Sequence, residues 1–235
     1  VCTKLEIKPE RISIALLMLW TTMSAVLLAI DRATNDNWHG QYGLLFQGIA
    51  FVFSPLWGAG AVAVLLMLWR FATGGPTFPS QPGHWLLVIF GITSTTAMFL
   101  RFVVLSGMNT LGLAVPTYAI LRIVTLGVAL VLYIIPMRRF TGCWRATFAV
   151  GGLIGLVLLI SVVLEFWEIS THFITYRIEW WANWLVLGLV ALAVVDDLRN
   201  RRQRDNLHAV GVFVRIAFHL LIAAMPLIIS LVMGF

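Results

Sequence analysis

Seven stretches of this chain are each long and apolar enough to cross a lipid bilayer as a helix, and this limits the fold more than any other feature. A hydrocarbon core of about 30 Å needs roughly 20 apolar residues at helical rise. The stretches run approximately Arg11–Asp31, Gly43–Phe71, His84–Leu105, Leu111–Pro136, Arg145–Glu168, Glu179–Asp197 and Ala209–Met233. Hydrocarbon offers no partner to a backbone amide, so segments of this length must satisfy their own hydrogen bonds as helices. The expectation is an all-α polytopic membrane protein, a bundle of about seven transmembrane helices. Residues 1–235 then form a single transmembrane helical domain, with loops too short to hold a soluble one. The first stretch is too long, and its flanks too polar, for a cleaved signal segment.

Composition agrees. Hydrophobic residues make up 60% of the chain and charged ones 11%, against about 25% charged in a soluble domain. A larger core would not explain that deficit, because a soluble protein still needs a polar surface. The second stretch is overlong and contains Pro55 followed by Gly58 and Gly60, which predicts a kink with close helix packing past it. The linker from Thr73 to Gly83, with its repeated Gly and Pro, reads as an irregular turn.

The basic residues set the orientation. Lys4, Lys8, Arg11, Arg70, Arg138, Arg139, Arg145, Arg199, Arg201, Arg202 and Arg204 fall on one side of a seven-span arrangement, and only Arg32 and Arg177 on the other. By the positive-inside rule the N-terminus is cytoplasmic and the C-terminus lies opposite, in what reads as a bacterial-type cytoplasmic membrane. The net charge of +6 therefore reflects topology and not nucleic-acid binding. The partners expected are membrane lipids, with anionic headgroups at Arg138, Arg139, Arg199, Arg201, Arg202 and Arg204, and other copies of the chain or other membrane subunits. Asp196 and Asp197, at a helix C-terminus where the macrodipole disfavours acids, are expected to pair with nearby arginines.

Several functions lack their residues. Lys4 and Lys8 are the only lysines, so no lysine in the last stretch can form a retinal Schiff base. Cys2 and Cys143 form no CxxC and read as unpaired thiols. Of His39, His84, His172, His208 and His219, only His219 lies well inside a stretch, which argues against a metal centre or a bis-histidine haem. No phosphate-binding glycine loop and no nucleophile-and-base pair is visible. Neither a catalytic residue, a metal nor a cofactor is expected.

What remains are residues that are costly to keep in hydrocarbon. Arg101, Arg122 and Arg215 lie within stretches, where an arginine near the bilayer centre costs about 2.5–3.5 kcal/mol on insertion scales. Arg101 is near enough to the outer surface to snorkel or to pair with Glu165. Arg122, roughly 16 Å from the outer end of its stretch, reaches neither face easily, and no carboxylate lies at its depth. It is expected to face the interior. His219 follows Arg215 by one helical turn, so the two share a face. Thr93, Ser94, Thr95, Thr96, Tyr118 and Thr125 line the same interior or act as interhelical glue. On the outer side Glu165, Glu168, His172, Arg177, Glu179, Trp180, Trp181 and Trp184 read as an interfacial belt with a solvated rim.

The expected ligand-binding residues are thus Arg122, Arg215, His219 and Tyr118. The function expected from them is a small transporter or channel-like protein that recognises an anionic or amphiphilic ligand, because guanidinium groups match carboxylate and phosphate geometry. The alternative is a non-catalytic accessory subunit of a larger membrane complex, with its arginines meeting acids or headgroups of its neighbours.

Overall fold

A computed structural model describes residues 13–34, 43–74, 78–103, 114–167, 172–200, 202 and 204–233, apart from some side chains, mostly near helix ends. The regular structure among the described residues is helical throughout. The helices are α1 (Ile14–Thr34), α2 (Gly43–Thr73), α3 (Pro82–Val103), α4 (Ala114–Arg139), α5 (Gly142–Phe166), α6 (His172–Arg199) and α7 (Asn206–Met233). Among the described residues, α1, α2, α4, α5, α6 and α7 each contain a segment long and apolar enough to cross a membrane.

α3 occupies the middle of the bundle, in contact with α1, α2, α4 and α7. Every residue from Pro82 to Phe90 is buried, with Val88 at 0% exposure. The run Thr93, Ser94, Thr95, Thr96 follows at partly buried positions.

The packing has a definite plan. α3, α4, α5, α6 and α7 touch in sequence, and α7 returns to α3, so these five helices close a ring. The α1–α2 pair lies outside the ring, against α3, with α2 also reaching α7. Glycines let backbones meet at the seam: a Cβ on Gly60 of α2 would lie 2.7 Å from the Gly91 Cα of α3, closer than any side chain tolerates. This is the close packing expected beyond Pro55. α2 runs through Pro55 as one helix. The Ser54 hydroxyl donates to the Phe51 carbonyl at 3.0 Å, the group that Pro55 has no amide to serve. The Trp20 indole of α1 donates to the Pro55 carbonyl at 2.7 Å, tying the two helices together.

One end of the bundle gathers the basic termini. There α2, α4 and α6 finish and α3, α5 and α7 begin. The Arg70 guanidinium lies 5.6 Å from the centre of the Phe78 ring, and Arg139 donates to the Pro79 carbonyl. The Phe78–Pro79 peptide is cis, within the irregular turn expected there.

Candidate functional site

The five-helix ring holds a half-open cavity of about 350 Å³ to which all five helices contribute lining residues. Most of the wall is aliphatic, and the polar groups are few: Thr93 of α3, Tyr133 of α4, Asn183 of α6, and Arg215 and His219 of α7. α5 supplies Gly151 and Gly155 to the lining, where side chains of α4 lie close against them. At a rise of about 1.5 Å per residue, Arg215 lies roughly 14 Å and His219 roughly 20 Å from the start of α7. Arg215 therefore lies about a third of the way along the 28-residue α7, and His219 about midway.

The sequence makes this geometry through two devices. Arg215 and His219 are four apart, so they project from one face of α7, the face turned into the ring. Tyr133 lies flat along α5 because Gly151 allows it. A Cβ at Gly151 would sit 2.5 Å from the Tyr133 ring. So placed, the tyrosine hydroxyl accepts a long hydrogen bond from the Arg215 guanidinium at 3.4 Å.

The hydrogen bonding leaves capacity over. His219 is only 4% exposed, and its Nδ1–H donates to the Asn183 side-chain carbonyl at 2.6 Å. Among the described residues the far ring nitrogen, Nε2, has no hydrogen-bond partner, and neither has Nε of Arg215. No Asp or Glu is among the described residues that line the cavity, so a permanent cation, itself partly buried, faces a space whose described wall holds no countercharge. Arg215 offers planar donors to an anionic oxygen. With Nδ1–H given to Asn183, His219 Nε2 offers a lone pair, which accepts from a ligand hydroxyl or protonated acid oxygen. Together they suit an acidic head that also carries an O–H.

A second polar constellation, at the basic end, behaves differently. Asp205 precedes α7 and caps it, its carboxylate accepting the His208 amide at 2.7 Å. The His84 Nε2–H donates to the same oxygen at 2.8 Å, while His84 Nδ1 accepts from the Ser80 and Gln81 amides. The Gly83 amide donates to His208 Nδ1 at 2.9 Å. Burial opposes the charge on Asp205, but the bonds from His84 and His208 outweigh it and hold its carboxyl below the usual carboxylate range. Beside it Asp197 accepts from the Trp144 indole at 2.9 Å and from Arg204 at 2.8 and 2.9 Å, and Arg202 lies 3.2 Å away. Arg202 also pairs with Asp196 at 3.3 Å. The expected pairing of these aspartates with arginines is present. Around Trp144 and Phe148 an apolar cluster drawn from α3, α5, α6 and α7 fills the space between this network and the cavity.

Several sequence expectations need correction. Arg122 does not line the cavity. Its side chain is 37% exposed, and it approaches the Glu165 carboxylate at 4.0 Å, so this chain does supply an acid at its level. The reason is that α4 packs along α5, which brings Arg122 beside Glu165, one residue before the end of α5. The side chains of Tyr118 and Arg101 lie outside the described residues, and with them the proposed Arg101–Glu165 pair. The hydroxyls of Thr93, Ser94 and Thr125 bond back to carbonyls of their own helices, so they are not interhelical glue. Of the arginines expected at headgroups, Arg202 and Arg204 are held by aspartates. Arg138, Arg139 and Arg199 are exposed, and Arg201 lies outside the described residues.

Sequence reasoning missed Asn183 and Tyr133. A lone amide in the apolar run from Trp180 to Val195 was the available signal, since a carboxamide in hydrocarbon needs a partner. No protein-family model, no curated protein and no solved structure matches this chain.

Proposed function

We propose that the protein binds a small anionic or amphiphilic ligand at Arg215 within the membrane, acting as a transporter or channel-like protein. In this reading all seven helices cross the bilayer, and the basic end of the bundle faces the cytoplasm. α3 makes the crossing with its first half enclosed by protein and its hydroxyls partly buried. The observation that carries the proposal is the setting of Arg215: a cation within the length of α7, lining a cavity of about 350 Å³ with no carboxylate among the described residues of its wall. An uncompensated buried charge is costly, and an anion would relieve it. The volume falls within the usual range for small-molecule sites. His219 is fixed by Asn183 so that Nε2 turns toward the same space, adding a second polar contact.

The competing role, an accessory subunit whose arginines meet a neighbour's acids, fits Arg215 less well. Its guanidinium points into the chain's own ring, and a neighbouring subunit would have to insert a side chain between helices to reach it. Reconstitution in proteoliposomes tests the two. Carboxylate and phosphate efflux should proceed with the parent and stop with Arg215→Leu. Arg215→Lys should fall well below the parent, because lysine keeps the charge but loses the planar donor fork. Efflux equal in parent and Arg215→Leu, together with foreign subunits that copurify in mild detergent, would favour the accessory role.

A further inference from the structure

A second concavity lies directly behind the cavity wall. It is a groove of about 570 Å³ on the outer surface of the α5–α6 seam, formed by Leu153 and Val157 of α5 and Trp181 and Leu185 of α6. Ile154 and Ala182 belong to both linings, so the groove and the cavity adjoin at these two side chains. The groove is almost wholly apolar. Leu153, Trp181 and Leu185 are 61%, 66% and 53% exposed, on a face that meets lipid if the bundle is membrane-embedded. Arg177 borders it five residues before Ala182 along α6.

We propose that the ligand is a single-chain amphiphile with an acidic head, drawn from the bilayer. The head sits against Arg215 and His219, and the chain leaves through the α5–α6 seam to lie along the groove. The inference rests on the reading of Arg215 as an anion site and adds the class of molecule. Three features point to it. The cavity is mostly apolar, with its few polar groups on converging side chains, as an amphiphile requires. The His219 Nε2 is buried without a partner among the described residues and lines the same space. The groove and the cavity adjoin, since Ile154 of α5 and Ala182 of α6 line both. A fully water-soluble anion would have no use for a lipid-side groove. For an amphiphile the chain stays in an apolar medium throughout, so only the head is transferred, from the interface to Arg215.

Trp181 provides the measurement, since it forms the groove wall. The full chain in nanodiscs would be titrated with stearate dibrominated at mid-chain, which quenches indoles on contact. The Trp181 contribution is obtained by subtracting the signal of Trp181→Phe. The expected result is saturable quenching of Trp181 by a few mole per cent of probe, displaced by unbrominated stearate and weakened at least tenfold in Arg215→Leu. Leu153→Trp and Leu185→Trp, both at exposed positions that the fold tolerates, should weaken stearate binding while leaving acetate and inorganic phosphate binding unchanged. Quenching that rises linearly with probe and is indifferent to Arg215→Leu would reflect bulk lipid contact and overturn the proposal. If acetate and phosphate still bound Arg215-dependently in that case, the anion site would survive and only the chain groove would fall. If no probe bound, both would fall.

Discussion

The two polar regions of this bundle contain similar residues and dispose of them in opposite ways. At the basic end, Asp197 and Asp205 collect His84, His208, Trp144, Arg202 and Arg204 into a network with an acid at each node. Within the ring, Arg215 and His219 have only neutral partners among the described residues, Tyr133 and Asn183, and each keeps a nitrogen unsatisfied. The first region is packed and closed. The second borders open volume. A buried charge that the chain neutralises itself is part of the scaffold; one that it leaves unneutralised, beside space, is arranged for something else.

The sharpest way to break this comparison is to delete one charge from each region. Asp197→Leu should be the most damaging change. It takes their acceptor from Arg204 and the Trp144 indole at a junction of α5, α6 and α7, while the exposed Arg202 keeps Asp196. Breaking a buried pair by removing one partner costs about 3–5 kcal/mol, and less here because Arg204 is partly exposed. Thermal unfolding in detergent should show a large loss of stability. Arg215→Leu removes a charge of the same size, yet it should leave the unfolding temperature unchanged or raise it, because an apolar residue replaces an uncompensated cation. Equal destabilisation by the two would show that Arg215 belongs to the scaffold.

Smaller changes refine the contrast. Gly151→Ala adds one carbon where the Tyr133 ring now lies. The ring must shift and lose its approach to Arg215, so anion binding should weaken by about tenfold, roughly 1.4 kcal/mol, with the helix content of the circular dichroism spectrum unchanged. The mildest effect is expected at Arg122. Its contact with Glu165 is long and partly exposed, and exposed pairs contribute about 0.2–1 kcal/mol. Arg122→Leu should therefore leave stability and ligand binding near the parent's values.

The helices were legible in the sequence because lipid imposes a simple rule on length and apolarity, and the seven expected stretches coincide with seven helices. Their ends were less legible. α6 and α7 begin at His172 and Asn206, ahead of the apolar runs, because a helix continues into the interface wherever caps such as Asp205 can serve its free amides. The shared face of Arg215 and His219 followed from a spacing of four. Arg122 was misplaced because its depth along an apolar run does not tell how α4 packs along α5. Tyr133 and Asn183 were out of reach, since which helix faces which depends on packing that no local pattern encodes. The role of Gly151 is of the same kind: its meaning comes from a ring on a neighbouring helix.

The central claim, that the charge of Arg215 is met by a ligand and not by the protein, has a direct test in ligand-induced stabilisation. Anything that binds only the folded state stabilises it by about 2.7 kcal/mol at a hundredfold excess over Kd. Parent and Arg215→Leu would be unfolded thermally in nanodiscs with and without stearate, acetate and inorganic phosphate. The account predicts that at least one of these anions raises the unfolding temperature of the parent and leaves Arg215→Leu unmoved. A shift of equal size in both proteins, or in neither, would contradict it.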